Sequence, residues 1–422
     1  MSRFQPWLVI CLLMAGVGCK KKAQPPVLLS KPSGVSKVTP VPSEKKKPPL
    51  PQQSPQPPSN DWVAQGLWWL YQLRYQKARE SFGNYIQHNP HDPAGYFYRA
   101  ATDWWELAQN FDQDLPSIRR NFAKDYQKTL ALTKPLLKSQ DAQVRAKAYF
   151  YLGGIEGLQG RLLITQKDWA KAYFAGQRGY KALLHALEDD PHLEDAYLGL
   201  GVYDYYTATL KGVRGALSSI LTSGNRERGL DEIQRVIQKG TYATIEGKVF
   251  LIEIYLGHEK KPDKALRIAR ELQKQFPQSP AMQLAVITTL QANHRWPEME
   301  KEAHDFLNRS EKKVAYYTAD DIPAGHYFLG LSRLKLGNAE QGLVLMNSIL
   351  KETANENSRW ATFAYLGRGQ AYDLLGKRED AKKEYRHVLS RKDVWDSHTE
   401  AKRYLKKPYV QNPQKENNSS SF

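Results

Sequence analysis

Small residues recur between bulky ones at helical spacing along most of this chain, and that pattern limits the fold more than any other feature. Trp62, Gly66 and Trp69 are followed by Ala78, Phe82 and then Pro90. A Gly or Ala lets the two helices of a hairpin cross closely, bulky residues fill the seam beside it, and a Pro ends the second helix. The order returns as Tyr365, Gly369, Tyr372, Ala381 and Tyr385, with Gly376-Lys377 at the turn, and as Ile252, Leu256, Ala265, Ala269 and Pro277. Leu329, Gly330, Gly337, Gly342 and Met346 give a further unit, a degenerate one occupies about 280–310, and Tyr197, Leu200 and Gly201 open another. Between Pro93 and Pro191 the helices are expected to be longer. There Ile118, Phe122, Tyr126 and Leu130 form a four-residue stripe. No stretch alternates apolar and polar residues as a strand would. The expected fold is all-α, a right-handed superhelical solenoid of helical hairpins over 61–405 with a concave inner face.

The N-terminus is of another kind. Arg3 precedes a short apolar run, Trp7 to Gly18, which falls short of the roughly 20 residues that span a bilayer. A basic start, an apolar stretch and small residues at its end make a secretory signal peptide over 1–18. Gly16-Val17-Gly18-Cys19 resembles a bacterial lipobox, although Gly16 stands where Leu or a similar residue is usual. Cys19 is therefore the expected lipidation site. The only other cysteine, Cys11, leaves with the signal, so disulfide frameworks and thiol chemistry are excluded from the body. Residues 20–60 hold eleven Pro, eight Lys and one acid, Glu44, without an aromatic. Such a segment cannot bury enough apolar surface to offset its ordering entropy. A disordered stalk is expected over 19–60, reaching about 100 Å at polyproline extension, and a disordered polar tail over 406–422.

Much of the formal charge of +17 belongs to this stalk. The remainder is spread over doublets such as Arg119-Arg120 and Lys382-Lys383, which fits a solvated helical surface. No basic motif is interleaved with aromatics, so nucleic acid is not an expected partner. His258-Glu259 begins like a zinc-protease helix, but no second His follows and Pro262 interrupts the helix. His88 and His91 lack a third ligand nearby. Asp189-Asp190 and Asp320-Asp321 fit helix capping better than paired acid and base. Gly153, Gly154, Gly157 and Gly160 lie at helical spacing with no strand before them, which fits close helix packing and not a phosphate loop. No catalytic residue, metal or cofactor is expected.

Aromatic content is high, with 10 Trp and 24 Tyr. In Trp68-Trp69 and Trp104-Trp105, neighbours point about 100° apart, so one ring can fill a seam while the other faces a groove. Trp68, Trp105, Tyr205 and Tyr206 are the candidate aromatic contacts for a partner. Lys211, Arg214, Arg226 and Arg228 are the candidate charged contacts. They belong to an insertion, Leu210 to Arg228, whose Val213, Leu217, Ile220 and Leu221 fall at helical spacing. Such a face is either a brace folded into the solenoid or a contact element for a partner or the bilayer surface.

The hairpin pattern resembles the tetratricopeptide-repeat superfamily, most closely at the two ends of 61–405. The middle stretch YDYYTATLKGVRGALSSILTSGNRERGLDEI, with Gly224-Asn225-Arg226-Glu227-Arg228-Gly229-Leu230 at its turn, resembles bacterial outer-membrane repeat proteins and eukaryotic repeat proteins of the inclusion-body-clearance type. The resemblance implies a non-catalytic scaffold that holds a protein or peptide in its concave face. With the lipobox it implies a bacterial envelope protein. Lys20 stands where an Asp would retain a lipoprotein in the inner membrane, so the outer membrane, facing the periplasm, is expected. The alternative is a binder of an anionic envelope polymer, peptidoglycan or lipopolysaccharide.

Overall fold

The computed structural model describes residue 58 and residues 60–210, 224–353 and 358–411. Cys19, most of the stalk, most of the insertion and residues 412–422 of the tail lie outside the described residues. The start of the tail, expected to be disordered, is ordered, with Tyr409 buried and its amide donating to Asp373 at 2.7 Å. Among those described there are seventeen α-helices and no strand. The first hairpins are α1 (Trp62–Tyr71) with α2 (Tyr75–His88), α3 (Pro93–Gln109) with α4 (Pro116–Leu136), and α5 (Ala142–Thr165) with α6 (Trp169–Asp189). Next come α7 (Ala196–Leu210) with α8 (Arg226–Lys239), α9 (Thr244–Gly257) with α10 (Pro262–Gln275), and α11 (Pro280–Ala292) with α12 (Trp296–Glu311). The last are α13 (Ile322–Lys335) with α14 (Ala339–Glu352), α15 (Arg359–Leu374) with α16 (Arg378–Leu389), and α17 (Ser397–Lys406). Each helix packs on the next in the chain.

The small residues sit at the crossings, as the spacing predicts. A Cβ added at Gly369 would lie 2.4 Å from the Tyr385 ring, so α15 and α16 meet there only without a side chain. Gly153 and Gly179 bring α5 and α6 equally close: a Cβ on either would lie 2.9 Å from the other's carbonyl oxygen. Short polar side chains start the helices. Asp61, Asp92, Asp141, Asn225, Ser279 and Ser358 each accept a bond from a first-turn amide. Within hairpins the chain reverses through a left-handed residue: Leu73 (φ 58°), Lys167 (61°), Lys260 (55°), His294 (55°), Gly337 (90°) and Gly376 (74°). The glycines that the sequence signals occupy only the last two of these turns.

The two helices of a hairpin differ in burial. In α10 the buried residues form one stripe, Ala265, Leu266, Ala269 and Leu272. In α9 an unbroken run from Val249 to Leu256 is buried, and almost all of α11 is. A helix buried all round must pack on more than its own partner. Side chains of the odd-numbered helices, and of the loops beside them, meet across the inside of the array. Tyr71 of α1 meets Phe276 beyond α10, with ring centroids 5.8 Å apart, and its carbonyl accepts a 2.6 Å bond from Ser279. Tyr242 donates to Asp61 at 2.8 Å and packs on Tyr98 of α3. Asp112, after α3, holds Arg359 of α15 at 2.9 Å. One contiguous core therefore runs from Val63 to Val394. The open concave face expected from the hairpins is filled by the chain's own aromatic and aliphatic side chains.

Candidate functional site

The filled interior decides where the candidate contact residues stand. Trp105 is 2% exposed, next to Tyr71, and hydrogen-bonds Glu246. Tyr205 is fully buried and donates to Glu259 at 2.7 Å. Neither offers a surface to a partner in this conformation. Tyr206 donates to Glu253, and Trp68 is half-buried edge-on to Trp69 and Tyr316. Arg226 forks onto Glu259 and Arg228 pairs with Asp204, so both arginines pin the start of α8. Gly224 lies so close to Thr207 that a Cβ would meet its hydroxyl at 2.1 Å. The two ends of the insertion are thus fixed to the body. Lys211 and Arg214 lie outside the described residues.

Behind these residues is a buried polar cluster. The Arg161 guanidinium lies 3.6 Å from the Trp104 ring centroid and 4.7 Å from that of Phe250, with Glu246 at 3.7 Å. Burial pushes the Glu253 carboxyl up to about 8 and raises that of Glu246. Arg161 and Glu246 form an enclosed ion pair between α5 and α9, where loss of either partner would leave an uncompensated buried charge. His258, beside the Tyr205 and Tyr206 rings, has its pKa lowered by burial, and Glu259 is taken by Tyr205 and Arg226. The pair that begins like a zinc motif is therefore structural. Among the described residues no group of His, Cys, Asp and Glu is arranged to hold a metal ion, and no helix is long and apolar enough to cross a membrane.

A second interior site surrounds Arg359. Its guanidinium sits about equally far, 5.3 Å, from the Phe111 and Trp360 rings, and 5.9 Å from Trp395. It donates to the Gln109 carbonyl at 2.7 Å and to Asp112. The cavity beside it measures about 20 Å³, room for roughly one water.

The larger concavity is on the outside. Helices α4, α5 and α6 have 21, 24 and 21 residues, against 14 for α9 and α10. Helix α5 packs along α6 far more extensively than along α4. The divergence opens a groove of about 370 Å³ between α4 and α6, floored by α5 and lined by Tyr126, Gln159, Leu163, Lys171, Phe174 and Arg178. At its deep end Glu156 accepts two bonds from Arg178, at 3.0 and 2.7 Å, and one from Tyr126 at 3.4 Å. Sequence patterning placed Tyr126 on the α4 stripe. Nothing in it marked Phe174, because the groove depends on how far two helices diverge.

No protein-family model matches the sequence, and no curated protein matches it. Among solved structures the chain is similar to one described as the crystal structure of the P58(IPK) TPR domain, at 11% identity, covering 85% of this chain and 98% of that one. The TM-score is 0.24, so the superposition adds no argument to the hairpin geometry. The fold is an all-α array of helical hairpins.

Proposed function

We propose that this chain is a non-catalytic, lipid-anchored scaffold of the bacterial envelope that holds a protein partner on its outer surface. One observation carries the choice of surface: side chains of the inner helices and of the loops beside them meet across the array, as in the Tyr71–Phe276, Arg161–Phe250 and Asp112–Arg359 contacts. A partner therefore meets the outer helices. The anchor rests on the short apolar signal, the small residues before Cys19 and the absence of any later cysteine. The Pro- and Lys-rich stretch between Cys19 and α1 supplies reach from the membrane. Outer-membrane placement, facing the periplasm, follows from Lys20 after the lipidated cysteine.

Cys19→Ser is expected to move the protein from the membrane to the soluble envelope fraction. Retention of the variant on membranes in high salt contradicts the anchor. Purified without its lipid, the body is expected to bring down one protein in stoichiometric amount. Sedimentation with peptidoglycan sacculi in place of a protein would favour the envelope-polymer alternative.

A further inference from the structure

We propose that the groove between α4 and α6 docks an acidic amphipathic segment of a protein partner, with a large apolar side chain seated against Phe174. This deepens the scaffold function and rests on it. The groove lies on the outer side of the array, formed by two outer helices and the floor of α5.

Three observations converge there. Phe174 is 51% exposed, which is unusual for a phenylalanine in a fold that buries most of its rings. It shares the groove with the apolar faces of Tyr126 and Leu163, and the volume of about 370 Å³ accommodates a side chain larger than a methyl group. The flanking charge is positive. Helix α4 carries Arg119, Arg120, Lys124, Lys128 and Lys134 against a single acid, Asp125, although Lys128 turns to the Tyr96 ring of α3 and only Arg119 shares the stripe of Tyr126. Asp125 is buried and held by Arg99 at 2.6 and 2.8 Å, so it neutralises none of them. Arg119 lies seven residues before Tyr126 and therefore on the same stripe of α4. The α6 wall adds Lys171 and Arg178. Arg178 remains 56% exposed while it holds Glu156, and Lys171 is 75% exposed beside Asp168. An apolar floor rimmed by cations selects a ligand with apolar residues on one face and carboxylates beside them.

The probe is a synthetic peptide of about 18 residues, long enough to form a helix on binding. Leu occupies one face and Glu the rest, and the control has Lys at every Glu. Binding to the full chain carrying Cys19→Ser is read by fluorescence anisotropy. The acidic peptide is expected to bind, to weaken at least about tenfold in Phe174→Ser/Lys171→Ser, and to weaken further as salt screens the rim. Both substituted side chains are exposed, so the variant is expected to melt at the parent's temperature. Equal binding to parent and variant, or equal binding of the lysine peptide, overturns the proposal. Binding of phosphatidylglycerol vesicles that the double variant abolishes also overturns it, because the face then belongs to lipid headgroups. Co-purification of the stoichiometric protein tests the scaffold separately. If it survives in the double variant, the scaffold stands and the groove assignment falls.

Discussion

The hairpins from α9 to α16 and the long helices α4, α5 and α6 solve one packing problem in opposite ways. From α9 to α14 the helices have 13 to 16 residues, nearly matched in length. Every inner helix can then be covered on all sides, and α9 and α11 are. The middle helices reach 21 to 24 residues and overshoot their neighbours. The overshoot leaves Phe174 exposed, a groove open, and the α4 cations in solvent. Matched lengths produce a sealed interior, and unmatched lengths produce a surface available to a partner.

The largest effect expected from this contrast concerns ion pairs. Arg359→Ala removes a buried cation and leaves the Asp112 carboxylate in the interior without its counter-ion, held only by the backbone amide of residue 359, at a cost of up to about 3–5 kcal/mol. Lys171→Ala, at a solvent-exposed pair with Asp168, is expected to leave stability nearly unchanged. Urea midpoints of the two variants measure the difference, and equal losses would break the contrast. Gly369→Ala and Gly157→Ala apply one substitution to the two regions. The first drives a Cβ into Tyr385 and is expected to destabilise by about 1–3 kcal/mol. The second meets nothing within 4 Å and should stabilise by roughly 0.5–1 kcal/mol through helix propensity.

The interior also sets a pH dependence. Glu253 is raised to about 8, Glu232 to about 7, and Asp103 and Asp321 to about 6, each first by burial. Between the ordinary carboxylate range and these values the folded chain binds more protons than the unfolded one. Stability therefore falls as pH rises, with the Glu253 share lost progressively up to about 8. Melting temperature is expected to be higher near pH 5 than near pH 8.5 (roughly the two sides of that window), and Glu253→Gln should flatten the slope. The smallest effect lies in the turns. Leu73→Gly relieves a left-handed residue and is expected to stabilise by up to about 1 kcal/mol, read as a raised urea midpoint.

How far the sequence foresaw these features depended on the range of the interactions. Gly66, Gly369, Ala265 and Ala381 marked their crossings because the constraint acts between helices adjacent in the chain. The long helices after Pro93 were visible in the α4 stripe for the same reason. The sealing of the interior was not visible. Arg359 and Asp112 are 247 residues apart, and Tyr242 and Asp61 are 181 apart, distances at which no local pattern couples two positions. Trp105 and Tyr205 were candidate contacts because aromatic richness fits a groove and a packed core alike. Only the path of the array separates the two. Arg226 and Arg228 were candidate charged contacts for a partner; their pairing with Glu259, in the turn before α10, and with Asp204, on α7, was not visible in the local pattern.

The sealed interior can be tested through a single thiol. Thr288 lies one helical turn from Leu284, which lines the Arg359 cavity, and is 2% exposed. With Cys11 and Cys19 replaced by Ser, Thr288→Cys provides the only thiol in the chain. Its reaction with a maleimide under native conditions reports whether the inner face is open. A sealed interior predicts labelling only at the rate of unfolding, slowed in step with any variant that stabilises the whole body. Labelling at the rate of an exposed thiol, such as Val344→Cys on the outside, would show an open groove and contradict the account.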